Sequence, residues 1–115
     1  MYGQIPTRII NLTPHKVVIV GEDNFPIIEY PSQGIARVSQ LTEPVGTINN
    51  VPLFRVSLGD VENLPEPQEN TFYIVSRMVA EALPHRKDLL IPTELVRDQE
   101  GRVIGCRGFS YVSRD

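Results

Sequence analysis

The sequence predicts an α+β fold, a mainly antiparallel β-sheet or partly open barrel with one short helix over about 76–83, and three observations carry that expectation. Ten prolines and eight glycines are spread along the whole chain. Turns therefore recur about every ten residues and leave short segments between them, the spacing of strands. The runs Val17-Val18-Ile19-Val20 and Thr71-Phe72-Tyr73-Ile74-Val75 are β-branched and aromatic, the composition that suits a pleated, packed surface. Helical character is confined to the stretch after Ser76, where a residue able to cap a helix precedes Val79 and Leu83, four apart on one helical face.

In chain order, Arg8 to Leu12 is a first strand that leads through Thr13-Pro14-His15 into Val17 to Val20, apolar on both faces and so read as buried. Gly21-Glu22-Asp23-Asn24 is the turn to Phe25 to Tyr30, an edge strand because Pro26 has no backbone donor. Ile35 to Leu41 is the next strand. Val45-Gly46-Thr47-Ile48 then faces Val51-Pro52-Leu53-Phe54 across Asn49-Asn50, a pair that tolerates the positive φ angles of a tight hairpin. Phe54, Val56 and Leu58 fall on one side of this second arm, and Arg55 and Ser57 on the other, the alternation of a strand with one face buried.

Leu64-Pro65-Glu66-Pro67-Gln68-Glu69-Asn70 is an exposed, stiff connector. The strand Thr71 to Val75 runs into the helix, which Pro84 ends after about two turns because proline cannot continue the hydrogen-bond ladder. Asp88 to Pro92 is a short apolar segment. Glu94 to Arg97 joins Arg102 to Tyr111 through Asp98-Gln99-Glu100-Gly101, where Gly101 suits the left-handed closing position. Neither an internal repeat nor a low-complexity tract interrupts the pattern.

Composition narrows the function. The 115 residues predict a single compact domain over 1–115, too short for a two-domain enzyme. Eleven basic against fourteen acidic side chains give a net charge of −3, which lacks the basic excess of a nonspecific nucleic-acid binder. No apolar run approaches the roughly 20 residues that span a bilayer, and MYGQIPTRII has no secretory pattern, so no membrane association and a cytoplasmic location are expected. Cys106 alone makes neither an internal disulfide nor a cysteine zinc site, and two histidines at no ligand spacing lead us to expect no metal and no cofactor.

Four polar or reactive candidates stand out. Pro14 holds the Thr13 hydroxyl and the His15 imidazole close together after a strand, where His15 could act as a base or ligand contact, or the three residues could form a plain turn with His15 at the rim of the core. Ser76 and Arg77 open the helix, and free amides there attract anions, although a Ser cap is needed whether or not anything binds. Arg86 and Asp88 are two apart, so in an extended stretch they point the same way and could grip a phosphate and orient a histidine, or pair with charges of the fold. Cys106 beside Arg107 could be an activated thiol, although its alternation with Ile104 reads as core. Arg97, Asp98 and Arg102 read as turn residues around Gly101.

Several strings taken together carry a resemblance. They are Asn11-Leu12-Thr13-Pro14-His15, Gly46 to Pro52 with the Val/Arg-containing strand after it, Leu64-Pro65-Glu66-Pro67, Tyr73-Ile74-Val75-Ser76, and Arg86-Lys87-Asp88-Leu89-Leu90-Ile91-Pro92 running on to Arg97-Asp98 and Gly105-Cys106. In these the chain resembles a family of short proteins encoded by bacteria, especially Gram-positive ones, and by their phages. The resemblance covers most of the chain and implies a small domain in a bacterial or phage-infected cell; it carries no mechanism onto these positions. Its strings include Thr13 to His15, Ser76-Arg77 and Arg86 to Asp88, each at the end of an element. We therefore expect these residues to converge on one polar cleft with Cys106 near its floor.

Three functions follow from that expectation. The first is a noncatalytic module for a small anionic ligand such as a nucleotide, with Arg77 and Arg86 on phosphate, Thr13 and Ser76 as hydrogen-bond partners, and His15 on a base or ribose. In a phage setting, which rests on the resemblance, such a module would sequester or sense a signal nucleotide. The second is a small hydrolase or phosphodiesterase in which Asp88 orients His15 as general acid or base and Arg86 stabilises developing charge. The third is a protein-interaction module that pairs through an open sheet edge. A homodimer is compatible with all three, because a small sheet buries a limited core.

Overall fold

The computed structural model describes residues 7–112. Its elements are β1 (Arg8–Asn11), β2 (Val17–Val20), β3 (Pro26–Tyr30), β4 (Arg37–Ile48), β5 (Val51–Glu62), β6 (Thr71–Ile74), α1 (Arg77–Ala82), β7 (Leu89–Arg97) and β8 (Val103–Ser110). The α+β class and the position of the helix are as the sequence predicts. Six strands form one sheet in the order β1-β6-β7-β8-β2-β3, and among the described residues β4 and β5 pair only with each other. A bridge between Asn11 and Ser32, just past β3, brings the last strand back to the first, so the six-stranded sheet curls into a partly open barrel. Antiparallel pairing accounts for most of the paired residues, in β2 with β3, β7 with β8, and β4 with β5. Parallel pairing is limited to short ladders of β1 with β6 and β6 with β7, one pair between β2 and β8, and the Asn11–Ser32 bridge.

Period-two alternation along β6 and β7 feeds two apolar layers. Ile74 and Leu90 turn to one side, where they meet Val17, Cys106, Ile9, Ile19, Tyr30 and Phe109; each of the six strands contributes, so this layer fills the curl of the sheet. Tyr73, Val75, Leu89 and Ile91 turn to the other side and pack under Val79 and Ala80 of α1. Ser76 caps that helix by accepting from the Val79 amide at 3.3 Å. Strand β8 passes so close to β2 that a Cβ on Gly105 would lie 2.7 Å from Val20 Cγ1 and 2.9 Å from the Val18 carbonyl oxygen. Gly105→Ala should therefore destabilise the fold by about 1–3 kcal/mol, because the obstacle is partly backbone. Denaturant unfolding measures this, and a value within about 0.5 kcal/mol of wild type, the usual scatter of a neutral surface change, would contradict the close approach.

The β4–β5 pair is a ribbon of 12 residues per strand, about 40 Å long at the usual rise per residue. Asn49 and Asn50 turn it with φ angles of 49° and 66°, the doubly positive geometry that the sequence predicts for this hairpin. Only its base is packed: Val38 and Val61 lie against the layer under α1. Beyond the base every residue from 39 to 58 is exposed. The radius of gyration is accordingly 17.7 Å and the extents are 64 × 39 × 29 Å. A close-packed chain of this length has a radius near 13 Å, so compactness describes the barrel and helix and not this projecting arm. Among the described residues, no helix is long and apolar enough to cross a membrane.

Candidate functional site

The loop after β1 is organised by a residue that the sequence does not single out for chemistry. Asn11 is fully buried. Its Oδ1 accepts from the Thr13 amide at 2.9 Å and from Thr13 Oγ1 at 2.7 Å, while its Nδ2 donates to the His15 carbonyl at 2.8 Å and the Tyr30 carbonyl at 2.9 Å. Ser32 Oγ donates to the Thr13 carbonyl at 2.6 Å. Thr13-Pro14-His15 is thus a side-chain-closed turn stitched to the end of β3, and the Thr13 hydroxyl is occupied within it. A readable signal exists, an Asn two residues before Thr-Pro at a strand end, but its Tyr30 and Ser32 partners come from a distant segment.

The His15 ring stays exposed. Together with Thr13 and Lys16 it forms the polar rim of a cleft of about 520 Å³. The rest of its lining is mostly apolar, with Val18, Leu95, Val103 and Ile104, and includes Cys106, 2% exposed. Lys16 reaches Glu29 at 3.5 Å on the surface. Thr13, His15 and Cys106 therefore do share one cleft.

The remaining candidates do not line it. Strands β6 and β7 are parallel and α1 is the crossover between them, so the residue leaving β6 and the residue entering β7 lie at opposite ends of the unit. Ser76 caps the helix at the first end, and Arg77 pairs along the helix surface with Glu81 at 3.2 Å. Arg86 and Asp88 are at the other end, bound to each other: Nε to Oδ1 at 2.8 Å and a terminal nitrogen to Oδ2 at 2.7 Å, with the same nitrogen donating to the Pro65 carbonyl at 3.0 Å. Both side chains are mostly buried, 16% and 14% exposed. The hydrogen bond to Asp88 is the main reason the Arg86 guanidinium is raised above its already high value, with burial opposing it. A cation with a raised folded pKa contributes its full stability below the unfolded value and loses it only as pH rises through the folded one, so the Arg86 charge in this clasp of the connector to β7 persists through the acidic and neutral range.

Asp88 is thereby committed to Arg86 and does not orient His15, and the expected convergence of all three polar sets is not formed. Among the described residues, no three His, Cys, Asp or Glu side chains cluster as metal ligands. The other basic side chains described in ion pairs or hydrogen bonds are similarly engaged: Arg55 with Glu43, Arg102 with Asp98, and Arg107 with the Gly21 carbonyl and Asn24.

A second candidate surface is the arm itself. Cross-strand pairs share a face, and Pro44 with Phe54, Thr42 with Val56, and Gln40 with Leu58 make one face that carries no charge. Phe54 and Val56 are 54% and 56% exposed on it. The opposite face carries the Glu43–Arg55 ion pair at 3.2 Å. Comparison with protein-family models, curated proteins and solved structures finds no match to the chain.

Proposed function

We propose that the chain is a protein-interaction module that works through its β4–β5 arm, whose uncharged face and unpaired strand edges are laid against another protein. One observation carries the reading: Phe54, Val56 and Leu58 alternate with polar residues as a half-buried strand does, and nothing among the described residues buries them. A two-stranded ribbon is marginal in water by itself, and a contiguous bare apolar face costs solubility unless it is an interface. The free edges of β4 and β5 add rows of backbone donors and acceptors suited to strand addition. The test is capture from a lysate of the cells that carry the gene, native chain beside Val56→Lys. Partners retained by the native chain and lost from the equally folded variant support the reading; identical sets, or no partner of any kind including the chain itself, overturn it.

The cleft favours a second reading, a noncatalytic site for a small anionic ligand such as a nucleotide. Its volume falls in the ordinary range of ligand pockets, about 300–1,000 Å³, and His15, Lys16 and Thr13 lie together on one rim. Here His15 would meet a base or ribose and Lys16 a phosphate, with Arg77 and Arg86 held to structural partners. In the cytoplasm of a bacterium or a phage-infected bacterium, the setting that the sequence resemblance implies, such a site would hold a signal nucleotide. Native mass spectrometry of the protein as isolated, followed by denaturation, tests it. An intact released nucleotide supports binding, a released cleavage product supports a hydrolase instead, and bare protein that also fails to bind added nucleotides defeats both.

A further inference from the structure

We infer that the cleft holds an aliphatic carboxylate, with its alkyl tail on the Leu95, Val103 and Ile104 side chains and its carboxylate on Lys16 and His15. The inference rests on the reading of the cleft as a noncatalytic site for a small anion, and it names a different class of anion.

Backbone strain shapes the apolar lining. Pro92 and Leu95 both line the cleft, yet they are three apart on β7, and an unbroken strand sets residues three apart on opposite faces. Glu94 between them has a φ of 61°, left-handed backbone that a residue with a Cβ adopts only against a free-energy cost. That one residue breaks the alternation. The partners across the ladder agree, since Phe109 and Cys106, opposite Pro92 and Leu95, are also three apart and also belong to one layer. An unbroken β7 would carry Leu95 to the face of Leu89 and Ile91, which pack under α1; instead it is 50% exposed in the cleft. Strained residues persist only where the surrounding structure enforces them, and they gather at ligand sites.

The chemistry of the lining selects the ligand. Among the described lining residues no carboxylate stands to repel an anion, no aromatic ring offers a base a stacking partner, and Lys16 is the one ammonium or guanidinium. One ammonium matches one negative charge. A polyphosphate needs several cations, and Arg77 and Arg86 are held elsewhere by Glu81 and Asp88. Lys16 can turn to a ligand, because its contact with Glu29 is long, at 3.5 Å, and both side chains are more than half exposed. The imidazole of His15, its neighbour in the chain, adds an N–H donor. Val103 and Ile104, 50% and 41% exposed, extend the Leu95 surface on which methylenes leave water.

Isothermal titration calorimetry of the full chain with butanoate, hexanoate and octanoate tests this, with adenosine monophosphate as the competing class and octanol as the tail without its charge. Association constants are expected to rise about tenfold from each carboxylate to the next, because each step buries two more methylenes. Octanol should bind about tenfold more weakly than octanoate. Lys16→Met should lower all three carboxylates by one common factor of about ten and keep the rise with length. Leu95→Ser and Ile104→Ser, both at well-exposed positions, should each flatten that rise. All variants are checked for unchanged circular dichroism and melting. Octanol binding equal to octanoate overturns the anion, and octanoate binding that none of the substitutions changes overturns the cleft as its site. Lys16-dependent binding of adenosine monophosphate without binding of octanoate overturns the aliphatic class and leaves the small-anion reading standing. No binding of any of these probes overturns both.

Discussion

Asn11→Asp is expected to cost the fold about 4 kcal/mol at neutral pH, from the exchange of one amide for a carboxylate. The native amide gives its two hydrogens to the His15 and Tyr30 carbonyls, at 2.8 and 2.9 Å, from a position with no solvent exposure. A carboxylate has no hydrogens to give. Each carbonyl left without its donor costs about 1–3 kcal/mol, and the new charge faces those oxygens where water cannot screen it. The total is a large share of the roughly 5–15 kcal/mol that holds a small domain together. The bonds from the Thr13 amide and hydroxyl to Oδ1 survive the change, so Thr13→Val, which removes only the hydroxyl, should cost nearer 1 kcal/mol. A sign follows for pH. Burial and the two facing carbonyl oxygens raise the pKa of the carboxyl that Asn11→Asp introduces, against the two Thr13 donors on Oδ1, so the damage grows as pH rises through the carboxylate range and shrinks in acid, where a protonated carboxyl restores one donor. Urea unfolding of both proteins at about pH 4 and pH 7, on either side of that range, measures it; a variant within about 1 kcal/mol of native at pH 7, an ordinary effect for any substitution, would show that the Asn11 amide does not hold the turn.

Local chemistry was legible in the sequence and distant pairing was not. Asn49-Asn50 predicts its hairpin, and Gly101 its turn at φ 85°, because positive φ is a property of the residue itself. Ser76 predicts the helix start for a similar reason; Cys106 is buried as the sequence leads one to expect, but Ile104, whose alternation with it reads as core, is 41% exposed. Arg86 and Asp88 do point the same way, as their spacing of two requires; the spacing could not say that each satisfies the other, with Pro65 as a third party 21 residues away. Thr13 and His15 look like free functional groups in one dimension because Asn11, Tyr30 and Ser32 close the turn only after β3 has folded back onto β1. Phe54, Val56 and Leu58 present the opposite case. Their period is that of a strand with one face buried, yet they are exposed, and nothing among the described residues covers them.

Shortening the arm is expected to separate association from folding. Joining Gln40 to Leu58 through Asn-Gly removes residues 41–57 while keeping the native Gln40 and Leu58 pairing and the packed base at Val38 and Val61. None of the removed residues belongs to either buried cluster, and every one of them is exposed. Their loss takes away almost no burial, and a shorter loop closes at slightly less entropic cost, a fraction of a kcal/mol. The unfolding free energy of the shortened chain should therefore stay within about 1 kcal/mol of the native protein when both are compared as dissociated chains, since mass action stabilises an assembled one further. Association should fall to none. If the shortened chain instead fails to fold, the arm is part of the folding core, and its bare apolar face cannot be assigned to a partner. If it folds and still associates like the native chain, another surface, such as Ile27 on the exposed edge strand β3 with Phe25 just before it, makes the contact. Retained folding with lost association is the outcome expected of an interaction arm, because a surface left bare at this size does little to stabilise its own chain.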